Sequence, residues 1–178
     1  MGSPLSGTQT ELYLQRIEKD YIKQWIDSEE IYYYKRYVDD IIILYNNNRI
    51  QKEQILQGIK HIDKNLSFKL TTEHKNSINF LVMTVDRKEN KLEIGIYRKE
   101  TSTDTTIHYT SNHPIEQKMA AFRYYINRLL TLPLTQEGKN KEWAEILNMA
   151  KSNRLPEDKI TKNRAKKLIK CLQLLPAR

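Results

Sequence analysis

"YYYKRYVDDIIILY", residues 32–45, sets Asp39 and Asp40 side by side between two runs rich in aromatic and β-branched residues. Runs of that composition favour strands, and they meet near Val38–Asp39, so the stretch predicts a tight β-hairpin with two carboxylates at its tip. Neighbouring side chains on a strand point to opposite faces, so the pair can converge on one point only at a turn. Two carboxylates held together repel unless a cation lies between them. Hard oxygen donors of this kind suit Mg²⁺, which keeps several waters and takes substrate phosphates as further ligands. The expected device is a divalent-metal platform for phosphoryl transfer. The plainer alternative is an exposed turn, because Asp favours turns whether or not it binds anything.

Outward from the hairpin, the upstream segment predicts a helix over about Thr8–Asp27, with Leu14, Ile17, Tyr21 and Trp25 on one face. Downstream, a second helix is expected over about Ile50–Asn65, striped by Leu56, Ile59, Ile62 and Leu66. "SFKLTTE" (67–73) alternates like a half-buried strand, and residues 78–99 read as a second hairpin turning at Glu89–Asn90. From Pro114 the pattern turns helical, with Met119, Phe122, Ile126 and Leu129 on one side and Pro133 as a stop. Two more helices follow, one carrying Trp143, Ile146, Leu147 and Ala150, the other running from about Thr161 with Leu168, Leu172 and Leu175. The fold class expected is α+β: residues 1–100 form an antiparallel sheet with packing helices, and residues 101–178 form a helical lobe.

The chain of 178 residues carries a net charge of +8, which points to an anionic partner. Residues 151–170 hold eight Lys or Arg against Glu157 and Asp158, a local charge of +6. A solvated helix face and a nucleic-acid footprint both explain such a run. The single cysteine, Cys171, excludes an internal disulfide and a cysteine-based zinc site. With no apolar run of membrane-spanning length, the expected location is intracellular, nuclear or cytoplasmic. "MGSPLS" also fits an N-myristoylation pattern through Gly2 and Ser6. His108 and His113 read as members of a hydrogen-bonded loop rather than as metal ligands. Tyr32, Tyr33 and Tyr34 could stack on bases or pack in a core, and Trp25 and Trp143 read as core.

"YVDD" followed by an apolar strand resembles the catalytic motif of reverse transcriptases, the RNA-directed DNA polymerases. Two other stretches agree with that likeness in order. "MGSPLSG" running into an amphipathic helix is similar to the segment preceding that motif. "FLVMTVDRKENKLEIGIYRKETSTDTTIHYTSNHPIEQK" is similar to the primer-contacting hairpin and the start of the helix-turn-helix thumb in Penelope-like retrotransposon polymerases. The resemblance covers nearly the whole chain, more loosely after about residue 135. It implies a partial polymerase palm followed by an α-helical thumb. It further implies that Asp39 and Asp40 hold Mg²⁺ or Mn²⁺ and that Tyr37 braces the primer end or incoming nucleotide. Gly2, Ser6 and Val38 would border the nucleotide pocket, and Phe80 and Leu81 would form the primer grip. Arg98, Lys99, Thr103, Asp104, His108, Ser111 and His113 match the run into the thumb. Lys162, Arg164, Lys166, Lys167 and Lys170 would follow the backbone of an RNA or DNA template-primer duplex, with deoxynucleotides as the other substrate. The chain departs from the family's pattern at Met1, Gly7, Val82 and Glu100.

The family's metal site also takes an aspartate from a strand earlier than this sequence. The chain by itself is therefore expected to be inactive in template-directed nucleotide addition, because catalysis needs a complete, preorganised ligand set. A lysine acting as general acid cannot be chosen among Lys64, Lys69 and Lys75. The alternative from a different class is a non-enzymatic nucleic-acid-binding module that uses the basic helical lobe. An unrelated helix-turn-helix DNA-binding protein with a chance YVDD is a third reading.

Overall fold

A computed structural model describes residues 4–63, 66–103 and 105–173. Its helices and small antiparallel sheets make the α+β class expected. They divide into two compact units, Met1–Thr72 and Glu73–Arg178.

In the first unit the opening helix is continuous but not uniform. Helix α1 (Ser6–Ile17) passes through a π-helical turn (Glu18–Ile22) into α2 (Lys23–Asp27). A π-turn carries one residue more than an α-turn, so it rotates the apolar stripe by about one position. That shift explains why Ile22 is buried while Tyr21, the residue expected on the stripe, is exposed. The hairpin follows as β1 (Ile31–Tyr37) and β2 (Asp40–Tyr45), paired antiparallel with a bulge between Ile31 and Tyr33. One face carries Tyr34, Arg36, Ile41 and Ile43. The other carries Tyr33, Lys35, Tyr37, Asp40, Ile42 and Leu44. Helix α3 (Lys52–Ile62) opens on a reciprocal capping box between Gln51 and Gln54. Its buried residues are Ile55 and Ile59: Ile59 lies on the expected stripe, while Ile55 is buried in place of Leu56, which is half-buried. Ile22, Ile50, Ile55 and Ile59 make this unit's core, with Trp25, Tyr34, Ile43, Tyr45 and Phe68 packed against it.

The strand expected over 67–73 is not formed. Phe68 joins the core, but Leu70 is exposed, and no ladder partner faces this segment among the described residues. Alternation alone makes no strand without a neighbour to bond.

The second unit begins with a three-stranded meander, β3 (Ser77–Phe80), β4 (Met83–Arg87) and β5 (Leu92–Ile96). The turn at Glu89–Asn90 lies where expected. An additional two-residue turn at Leu81–Val82 splits the long first strand. "FLVM" hid it, because the turn uses Leu81 at φ 55° rather than Gly or Asn. Among the described residues four helices follow: α4 (Ile115–Lys118), α5 (Ala120–Thr131), α6 (Gln136–Ser152) and α7 (Glu157–Gln173). The α6 cap is Thr135, whose hydroxyl accepts a 3.1 Å bond from the Gly138 amide. Phe122, Ile126, Leu129, Ile146, Met149 and Ile160 interlock α5, α6 and α7, and Ile94 and Ile96 pack the sheet on that core. The meander therefore belongs with the helical lobe.

Candidate functional site

Asp39 and Asp40 stand where the hairpin turns. Tyr37 pairs with Asp40, which leaves Val38 and Asp39 as the two turn residues. Val38 adopts φ 52°, the left-handed region that a β-branched residue enters only at a cost of about 1–2 kcal/mol. Its side chain is 65% exposed, so burial gives no compensation for that strain. Strained residues of this kind persist where the surroundings over-determine them. The two carboxylates are exposed, at consecutive positions around one turn, and their chemistry fits a hard divalent cation. Two side chains supply a minority of an octahedral set. Among the described residues, no three His, Cys, Asp or Glu side chains gather as a metal site.

Beneath the tip, one side chain holds the hairpin to the helix. Arg36 donates from Nε to Glu18 Oε1 at 2.6 Å, and from Nη1 and Nη2 to the two Glu11 oxygens at 3.0 Å each. The same Glu18 oxygen accepts from the Tyr34 hydroxyl at 3.1 Å. Burial of Tyr34, reinforced by the Glu18 charge beside it, pushes its hydroxyl well above the ordinary phenol range. The hydrogen bonds from Arg36 hold the Glu11 carboxyl below its usual value. A cavity of about 220 Å³ lies here, lined by Glu18, Arg36, Val38, Asp39, Ile41 and Phe68 among others. Sequence reasoning passed over this network. Its parts stand in the sequence, two glutamates seven residues apart on one helix face and an arginine directly before "YVDD", but nothing local pairs them.

The other expected site residues fall as follows. Tyr37 is 62% exposed at the base of the turn. Ser6 begins α1, while Gly2, Lys64 and Asp104 lie outside the described residues. Phe80 ends β3 and Leu81 forms its turn, so both primer-grip candidates sit at a second hairpin tip. Tyr32 and Tyr33 are exposed, and only Tyr34 packs on the core. His108 Nδ1 shares a 2.7 Å hydrogen bond with Thr110, and His113 Nδ1 a 3.2 Å bond with Ser111. Lys118 braces that loop, donating to the Tyr109 and Ser111 carbonyls at 2.7 Å each.

The cationic residues divide. Arg98 is committed to Glu142 at 2.6 Å, and Glu142 also takes Arg128 at 2.9 Å. Glu142 is 3% exposed, so Arg98 is first of all part of a buried ion cluster. Arg164 lies over the Trp143 ring, 4.2 Å from its centre, which makes Trp143 a stacking partner as well as a half-buried side chain. Lys159, Lys162, Lys166 and Lys170 are all exposed on α7, and steps of three and four place them along one stripe. Lys162 also reaches Asp158 at 3.3 Å, an exposed pair that water screens.

Residues 105–165 match an animal helix-turn-helix domain. The matched segment runs from the loop pinned by Lys118 through α4, α5 and α6 into the first half of α7. No curated protein and no solved structure matches the chain. Among the described residues, no helix is long and apolar enough to cross a membrane.

Proposed function

We propose that the chain binds duplex nucleic acid through its helix-turn-helix lobe. The supporting observation is the exposed lysine stripe Lys159, Lys162, Lys166 and Lys170, which extends the matched segment along α7. Ammonium groups about one helical turn apart meet successive phosphates and make contacts that carry no base information. Arg164, placed over the Trp143 ring, steadies the flank of that stripe. DNA is the partner that a helix-turn-helix suggests, and a template-primer duplex offers the same phosphates.

The tip geometry favours a second, more specific reading: the chain takes part in a reverse-transcriptase-like nucleotidyl transfer. In that reading Asp39 and Asp40 hold Mg²⁺ or Mn²⁺ together with ligands from elsewhere. The bound ion would stabilise charge on the attacking and leaving oxygens of the phosphoryl transfer. Tyr37, on the outer face beside Asp40, would brace the primer end or the deoxynucleotide, and Phe80 and Leu81 would hold the primer strand.

One experiment tests both readings: titration of an RNA/DNA template-primer duplex at low and high salt, with and without Mg²⁺, beside primer extension. Salt-sensitive binding that Asp39→Asn leaves intact supports the lobe as the binding element. Binding that ignores salt removes that reading. Because no third ligand joins the pair among the described residues, extension by this chain alone is expected to be absent. Extension abolished by Asp39→Asn would establish the polymerase reading directly.

A further inference from the structure

The hairpin tip would have little to hold it if it stood by itself, since an isolated two-stranded hairpin is marginal in water. Arg36 changes that. Its side chain is 9% exposed, and it meets Glu11 through both terminal nitrogens and Glu18 through Nε, so both edges of its fork are engaged. Planar bidentate pairing of this sort fixes orientation as well as distance. The remaining reach of Nη1 goes to the Val38 carbonyl at 3.4 Å, inside the turn itself. One side chain thus links α1, the π-helical turn and the strained residue that separates Tyr37 from Asp39. The charges also suit a neighbouring cation. Two glutamates outweigh one guanidinium, so Arg36 can anchor the tip without presenting net positive charge to a metal ion.

We propose that Arg36 is a positioning residue: it holds the Val38–Asp39 turn against α1, and so sets the affinity of Asp39 and Asp40 for a divalent cation. This rests on the metal-site reading of the tip. Arg36 touches no substrate in it. Glu11 and Glu18 act through Arg36, and Tyr34 supports Glu18 from the core side.

The test is Mn²⁺ titration of the full chain, followed by paramagnetic broadening of the Asp39 and Asp40 amide resonances, with thermal melting alongside. Wild type should show broadening centred on the tip, and Asp39→Asn should remove it. If wild type shows none, the metal-site reading itself fails. Given binding by wild type, Arg36→Gln should raise the Mn²⁺ midpoint about ten-fold or more, the usual effect of losing a group that orients a ligand. Arg36→Lys should recover only part, because a point charge cannot span both glutamates. Ile55→Val lowers the stability of the same unit through its core and should leave the midpoint unchanged. An unchanged midpoint in Arg36→Gln would overturn the proposal, as would an equal shift in Ile55→Val. Should Arg36→Gln not fold, the exposed Glu11→Gln, which releases one edge of the fork, must raise the midpoint for the proposal to stand.

Discussion

Gly58 has no side chain because Trp25 occupies the space of one. A Cβ built there would lie 2.6 and 2.7 Å from two ring carbons of Trp25, far too close for carbon against carbon. Alanine is the better helix former by about 1 kcal/mol, whereas overpacking costs about 1–3 kcal/mol. Trp25 is packed against the Ile22–Ile59 core and cannot swing away without opening it, so the clash should win. Gly58→Ala is expected to lower the stability of the first unit by about 1 kcal/mol, read by urea denaturation followed by circular dichroism. A more stable variant would show that the ring is free to move. At this scale the sequence was partly legible. The hairpin could be expected to turn near Val38–Asp39 from the two β-rich runs that meet there, and Asp40 falls one residue later, as the first residue of β2. Val38 could not be assigned to the left-handed region, which disfavours β-branched residues. Leu81 is not β-branched, but any residue with a Cβ is disfavoured there and no Gly or Asn marks the position, so the turn between β3 and β4 escaped as well.

Periodicity located most elements, and their ends and registers came from partners. The helix over residues 6–27 was visible, but the π-helical turn that moves Ile22 into the core and leaves Tyr21 outside was not. Helix α7 starts at Glu157, before Thr161, because Leu155 and Ile160 bury against α5 and α6. Residues 67–73 alternate and yet form no strand, for lack of a partner to bond. The Glu142 cluster belongs to this scale, since it joins α6 to α5 and to the segment after β5. Removing one member leaves buried guanidinium charge uncompensated, a loss of about 3–5 kcal/mol in such clusters. Glu142→Gln should therefore lower the melting temperature sharply. Replacing Glu142 and Arg128 together by Met should cost less than Glu142→Gln, because the two most deeply buried charges leave together and only the part-exposed Arg98 loses its partner. A double variant less stable than the single one would show that the cluster stabilises on balance.

At the scale of the whole molecule, charge governs. A net charge of +8, with a local charge of +6 over residues 151–170, should make nucleic-acid binding fall steeply with salt. Replacing Lys159, Lys162, Lys166 and Lys170 by Gln should reduce the slope of log affinity against log salt by about 0.9 for each duplex phosphate that is no longer neutralised. The reduction should be the same on unrelated duplex sequences, measured by fluorescence anisotropy. A loss confined to one sequence would mean that α7 reads bases. The α+β class, the hairpin with its two aspartates and the basic terminal helix were all determined locally, because composition, period and charge are properties of neighbouring residues. Tertiary structure alone decided which cations remain available. It drew Arg98 and Arg128 onto Glu142, laid Arg164 on Trp143 and closed Arg36 over Glu11 and Glu18. The physical reason is distance along the chain. Arg98 and Glu142 are 44 residues apart, and Arg36 and Glu11 are 25, so no local pattern encodes either pair.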